Sequence, residues 1–193
     1  MSPMSPMHAQ NWPQFSLRPL AGQAPRTALI RPVAPGEAAK VLALQEVAIG
    51  PLMFPITPQE VQDMLAGGHG CILGVWVGDD LIAFLAITVP DLGEHNLGHD
   101  AGLPAEALPG VAQWTAVVVH PDCRGNGLHV RLLRHSLDRL DWPQVRRWLA
   151  TVRCENAFSL NNFLAVGARV VTRMRKYDGH ERFLLMLELP DSH

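Results

Sequence analysis

The stretch with the clearest chemical content is VVVHPDCRGNGLHVRLL, residues 117–133. It reads as a buried strand, a turn holding Arg124-Gly125-Asn126-Gly127, and a helix opening at Leu128. Glycines in such a turn let the backbone approach a ligand closely. The free N–H groups of the first helical turn then point at that ligand with the positive end of the helix dipole, an arrangement suited to phosphate. Arg124, Arg131 and Arg134 lie at or near that end and offer charge-assisted hydrogen bonds. An ordinary glycine turn between strand and helix is the alternative. Two phosphate motifs are excluded: there is no G-x-x-x-x-G-K-[ST], and Val130 stands where a dinucleotide fingerprint needs its third glycine.

A second block, Cys154-Glu155-Asn156-Ala157-Phe158-Ser159-Leu160-Asn161-Asn162-Phe163-Leu164-Ala165-Val166-Gly167, lies about 30 residues downstream and reads as a short capped helix ended by glycine. Together the two blocks resemble the GNAT superfamily, whose members transfer acyl groups from acyl-CoA to amines. Arg124 to His129 is similar to the family's [R/Q]-x-x-G-x-[G/A] turn at every defined position but the last, and Asn156 to Gly167 to its Asn-x-x-[Ser/Ala] helix. The resemblance implies a sheet whose fourth and fifth strands splay apart to admit the pantetheine arm of acetyl-CoA. Main-chain groups of Val117, Val118 and Val119 would bind that arm, with the N–H of Val119 also facing the oxyanion. The turn Arg124, Gly125, Asn126, Gly127, Leu128 and His129 would cradle the pyrophosphate. Asn156, Ser159 and Phe163 complete the implied cofactor-binding set, although Asn156 reads equally well as a helix N-cap.

The sequence departs from the family pattern at three places. His129 replaces a glycine or alanine. Phe163 stands where many members carry a tyrosine that protonates the departing thiolate. Gln113 and Trp114 stand where some members place a glutamate base. His120 and Tyr177, the one tyrosine of the chain, are therefore the catalytic candidates, against plainer readings as a strand-end histidine and a turn residue. Cys154 reads as a core thiol. The loop over 90–110 carries Asp91, Glu94, His95, His99, Asp100 and Glu106. Its His-Asn-Leu-Gly-His spacing does not suggest a metal site, so an acidic rim for a cationic amine, or a merely solvated loop, are the readings kept. Acetyl transfer to a primary amine of a small molecule or peptide is the activity the resemblance implies. A catalytically weak acyl-CoA-binding sensor is the alternative that the three departures motivate.

The elements that must position these residues follow from hydrophobic periodicity. TALIRPV reads as a first strand and 35–49 as a helix. Thr57-Pro58-Gln59-Glu60 forms a capping box that opens a second helix ended at Gly67. CILGVWV and LIAFLAITV pair as a hairpin across Gly78-Asp79-Asp80, and TAVVVH, residues 115–120, is a buried fourth strand. A helix with Leu128, Leu132, Leu133, Leu137 and Leu140 on one face follows, then RRWLATV as a fifth strand and a helix over 157–166. VVTRMRKY and RFLLMLEL form a closing hairpin joined by Asp178-Gly179. Residues 90–112, with four Gly and three Pro, read as a long loop. This is an α/β protein with a mixed sheet. The resemblance sharpens it to a GNAT-like fold: a central, mostly antiparallel sheet flanked by helices.

The chain has 193 residues and a formal net charge of −2, values that suit one domain over 27–193 behind a flexible, Pro- and Ser-rich arm over 1–26. The small net charge hides a division. Residues 124–182 hold 12 of the 16 Lys and Arg but only 5 of the 18 Asp and Glu. Both blocks lie in that basic part, and CoA carries roughly four negative charges. A nucleic-acid partner is not expected, since the arginines lack interleaved aromatics and a recognition motif. No apolar run approaches the ~20 residues of a membrane span. Three widely spaced cysteines suit a reducing compartment, and with no secretory signal the expected location is cytoplasmic. The resemblance also allows a homodimer.

Overall fold

The computed structural model describes residues 12–18, 24–67, 69–140 and 142–190. Its strands are β1 (Gln14–Ser16), β2 (Thr27–Pro32), β3 (Gly70–Val77), β4 (Asp80–Thr88), β5 (Val111–Val119), β6 (Arg147–Arg153), β7 (Arg169–Lys176) and β8 (His180–Glu188). They form one sheet in the order β1-β2-β3-β4-β5-β6-β8-β7, in which only β5 and β6 run parallel. The helices are α1 (Ala38–Ala48), α2 (Pro58–Leu65), α3 (Leu97–Asp100), α4 (Leu128–Arg139) and α5 (Ala157–Leu164).

Helices cover both faces of the sheet, which explains why β3 and β4 are continuous apolar runs rather than alternating ones. On one face Val41, Leu44, Val61 and Met64 of α1 and α2 pack on Ile72, Trp76, Phe84 and Val118. On the other, Leu128, Leu132 and Leu133 of α4 and Phe163 of α5 pack on Leu73, Val75, Leu85, Trp114 and Trp148. The capping box at Thr57 forms as its sequence suggests. The Glu60 carboxylate accepts from the Thr57 N–H at 2.6 Å, and the Glu60 N–H donates to Thr57 Oγ1 at 3.2 Å.

Four sequence expectations need correction. The segment expected as a flexible arm contains β1, which pairs antiparallel with β2, and Leu17 beside it is 2% exposed in the core. An alternating triplet too short to signal a strand is ordered by its neighbours; residues 1–11 and 19–23 of that arm lie outside the described residues. The long loop is shorter than expected, since it contains α3 and a 3₁₀ turn over 105–110, and β5 begins at Val111. His120 lies just past β5, in the cap of the next turn. The β7–β8 connection has three residues, because Lys176 pairs with His180, and Tyr177 enters it with φ +58°.

Candidate active site

The pairing between β5 and β6 covers only Val111–Gln113 against Arg147–Leu149. Beyond that the two strands separate. A bulge at Thr115 marks the change, where the β4–β5 register shifts between Ala86 and Ile87. Tight pairing to β4 on one side and β8 on the other holds each strand in place across the opening.

A cleft of roughly 1440 Å³ occupies this opening. Its walls include Val117 and Val119 of β5, Thr151–Arg153 of β6, the turn before α4, and the loop between α1 and α2. Strand alternation shows that the cleft joins the two faces of the sheet. Trp148, Ala150 and Val152 of β6 lie in the core beneath α4, whereas Leu149 packs with Leu97, Leu184 and Met186 on the opposite side. Arg153 shares the face of Leu149 by the two-residue period, and its Nη1 donates to the Pro51 carbonyl in the α1–α2 loop at 2.6 Å.

At the α4 end, Gly125 and Gly127 both have left-handed φ, +79° and +68°, with Gly127 as the helix N-cap. Side chains rarely adopt this conformation, and it turns successive N–H groups toward one concavity. The Asn126 side chain braces the turn from outside: its Oδ1 accepts from the Arg18 N–H at 2.7 Å, and its Nδ2 donates to the Cys123 carbonyl at 3.0 Å. The Arg124 guanidinium donates to the Ala48 carbonyl at the end of α1, at 3.4 Å. Asn156 caps α5, accepting from the Ser159 N–H at 3.0 Å, while both residues also line the cleft.

His129 follows the turn and stands against α5. Its Nδ1 accepts from the Asn162 amide at 3.1 Å, so the ring proton sits on Nε2. Burial pushes its pKa down to about 4, keeping the imidazole neutral. Nε2 is buried and has no hydrogen-bond partner among the described residues, although His129 lines the cleft. A buried donor left in this state costs free energy unless a ligand acceptor meets it. The left-handed glycine pair and this orphaned donor together suit an oxyanion-rich cofactor arm.

The sequence-selected residues therefore divide. Val117, Val119, Arg124, Gly125, Gly127, Leu128, His129, Asn156, Ser159, Phe163 and Tyr177 line the cleft. Val118 turns its side chain into the core beneath α1, and Asn126 serves as the outer brace. His120 does not line the cleft; its Nδ1 accepts from the Asp122 N–H at 3.2 Å and caps the 3₁₀ turn. Gln113 is engaged structurally, its Oε1 accepting from the Leu97 N–H at 2.6 Å. Of the acidic loop, Asp91 and His95 reach the cleft, while Asp100 pairs with Lys176. Among the described residues no group of three His, Cys, Asp or Glu is placed to hold a metal ion. The three cysteines are free thiols, and burial pushes that of Cys71 up to about 12.

The α1–α2 loop was not singled out from the sequence. Phe54 within it stacks on Tyr177 with ring centroids 5.0 Å apart. Its apolar, Pro-flanked run Pro51-Leu52-Met53-Phe54-Pro55 was the available signal. Arg153 and Arg182 were visible only as part of a basic block.

The family model described as "Acetyltransferase (GNAT) family" matches residues 42–167. The chain belongs to the GNAT acetyltransferase family. The GNAT fold agrees with solved structures. The ribosomal-protein-S18-alanine N-acetyltransferase of Escherichia coli superposes with a TM-score of 0.66 at 19% identity, covering 86% of this chain and 96% of that one. The putative acetyltransferase yncA of Salmonella typhimurium, solved with acetyl-CoA, gives 0.65 at 15% identity, covering 86% and 95%. The GNAT domain of S. lividans PAT gives 0.63 at 21% identity, covering 91% and 97%. No curated protein gives a significant sequence match.

Proposed function

We propose that this GNAT protein transfers an acetyl group from acetyl-CoA to a primary amine, by direct attack within a ternary complex. The observation that carries this reading is the opening between β5 and β6, which leads from the glycine turn before α4 through the sheet to the α1–α2 loop. The turn from Gly125 to His129 would hold the pyrophosphate, and the parted edge of β5 at Val117–Val119 the pantetheine arm. His129 Nε2–H would meet an acceptor atom of the same arm. The amine then enters from the opposite face, beside Phe54 and Tyr177.

In the reaction, the amine nitrogen forms a bond to the thioester carbonyl carbon while charge builds on its oxygen, which the Val119 N–H would stabilise. The C–S bond then breaks. The ammonium must first lose its proton, and His69 and His95 bring imidazole, the commonest general base, into the cleft lining. Phe163 cannot return a proton to the thiolate, so that proton comes from water or another cleft group. Among the described residues no helix is long and apolar enough to cross a membrane.

Calorimetry with acetyl-CoA tests the binding half. At a hundredfold excess over Kd, stabilisation of about 2.7 kcal/mol raises the melting temperature by roughly 5–10 °C. Gly127→Glu, which puts a carboxylate into the turn, should remove both signals. If acetyl-CoA gives neither signal with the unaltered chain, the reading fails. The substitution of phenylalanine at 163 and the engagement of Gln113 favour a second reading, an acyl-CoA sensor without turnover. Thiol release with any member of an amine panel rejects it.

A further inference from the structure

Arg153 and Arg182 are directly opposite each other across the antiparallel pair β6–β8. Like charges in that register repel. Both line the cleft on the sheet face away from α4, so they stand across the sheet from the glycine turn rather than beside it. Arg182 is only 3% exposed. Its Nε and Nη2, with Arg153 Nε, are buried without a hydrogen-bond partner among the described residues.

Neighbouring carboxylates come close without closing this gap. Asp178 Oδ2 lies 3.5 Å from Arg182 Nη2, and Glu155 Oε2 lies 3.7 Å from Arg153 Nε. Asp178 divides its oxygens: Oδ1 accepts from the His180 N–H at 3.3 Å, and Oδ2 stays at ion-pair distance from Arg182 without a hydrogen bond. The two unmet donors of Arg182 are adjacent on one edge of the guanidinium, the fork that a carboxylate or similar oxyanion fills with two parallel bonds. The fork is also held in place: its carbon lies 5.1 Å from the Tyr177 ring centroid and 5.9 Å from that of Phe54. A buried cation whose best hydrogen-bonding edge faces a carboxylate only at ion-pair distance is costly until an oxyanion fills both donors.

We propose that the acetyl acceptor carries an anionic group, a carboxylate or a related oxyanion, besides its amine, and that Arg182 backed by Arg153 receives that group. This rests on the acetyl-transfer reading of the cleft and adds the chemical class of acceptor to it. Asp63 and Asp91 line other parts of the same cleft, so one molecule bearing both charges meets both signs of wall. An α-amino acid is the simplest member of the class.

The test titrates the full-length, CoA-saturated chain by calorimetry with product probes: N-acetyl-amino acids, their matched carboxamides, and N-acetyl-aminomethylphosphonate as a second oxyanion. At least one anion should bind about tenfold or more tightly than its uncharged partner, as expected for a two-bond charge-assisted pair. The acid and phosphonate arms distinguish which oxyanion is preferred. Arg182→Met should erase the difference while CoA affinity stays unchanged. Arg182→Lys keeps the charge but not the fork, and should reduce the difference if the methionine variant does not fold. Asp178→Asn removes the competing carboxylate and should tighten anion binding, an effect that a purely structural ion pair would not give. Equal binding of acids and amides, a preference that survives both Arg182 variants, or no anion binding at millimolar concentration by a chain that binds CoA normally would each overturn the proposal. A chain that binds no CoA brings down the transfer reading, and this proposal with it.

Discussion

His129 meets Phe163 edge to face, with ring centroids 5.2 Å apart and planes at 90°. The contact joins the first turn of α4 to α5 across the cofactor side of the cleft. It is a favourable aromatic geometry, and it occupies two of the three places where this chain departs from the family pattern. The small residue of the turn has become an imidazole, and the usual tyrosine has become the ring that packs on it. The two departures are therefore coupled in space.

That coupling predicts a pH dependence. The His129 pKa is about 4 in the folded chain, below the ~6.5 of an unfolded histidine. Protons thus bind the unfolded chain more readily, and stability present above about pH 6.5 is lost as pH falls through 4. The loss amounts to about 3 kcal/mol at most. Melting curves between pH 7 and 4 should show it. His129→Ala, which restores a small residue at this position, should flatten the curve over that window. An unchanged slope in the variant would mean that another group titrates.

Gly127 gives a second prediction, separating backbone strain from ligand contact. A Cβ at this position meets nothing within 4 Å, yet φ is +68°. Gly127→Ala should therefore destabilise the free protein only by the left-handed penalty, about 1–2 kcal/mol. With the pyrophosphate held on this turn as proposed, acetyl-CoA affinity should fall further than stability does, because the new methyl group would crowd the cofactor's approach to the backbone. Equal losses in denaturant melts and in calorimetry would show that no ligand comes close.

Much of this was legible in the sequence, for physical reasons that can be traced to particular residues. The glycine turn was readable because only a small set of residues adopts left-handed φ in succession, and the capping box at Thr57 because its hydrogen bonds are local. β1 was not readable, since three residues acquire strand geometry only from pairing with Thr27–Leu29. The Arg153–Arg182 pair was equally hidden. The two residues are far apart in sequence and meet only through the β6–β8 register, so their composition suggested a basic segment without showing a fork. Tyr177 looked like a turn residue because Asp178-Gly179 carries the hairpin signal, whereas its contact with Phe54 depends on a loop more than a hundred residues away.

His120 provides a negative prediction. Its ring caps the 3₁₀ turn over Pro121–Cys123 and does not line the cleft. His120→Ala should cost about 1 kcal/mol through the lost cap and leave steady-state turnover within about twofold, well under the ~100-fold minimum expected for a general base. The contrasting variants are His69→Ala and His95→Ala, since those imidazoles do line the cleft. Whichever of them supplies the base should lower kcat with little change in the KM for acetyl-CoA.

Tyr177 can act through its ring or through its hydroxyl, and substitution separates the two. The ring stacks on Phe54 at an interplanar angle of 20° and lies over the Arg182 fork. Tyr177→Phe retains both contacts, so turnover should stay within about twofold if the ring is what matters, whereas loss of an acid in the transition state would lower kcat by ~100-fold or more. Tyr177→Gly relieves the positive φ, which at +58° disfavours a bulky residue, but removes the wall. It should raise the acceptor KM about tenfold through the lost stacking and cation–π contacts, with acetyl-CoA affinity unchanged. A Tyr177→Phe variant that binds both substrates but has lost its turnover would instead make the hydroxyl the proton donor that Phe163 cannot be.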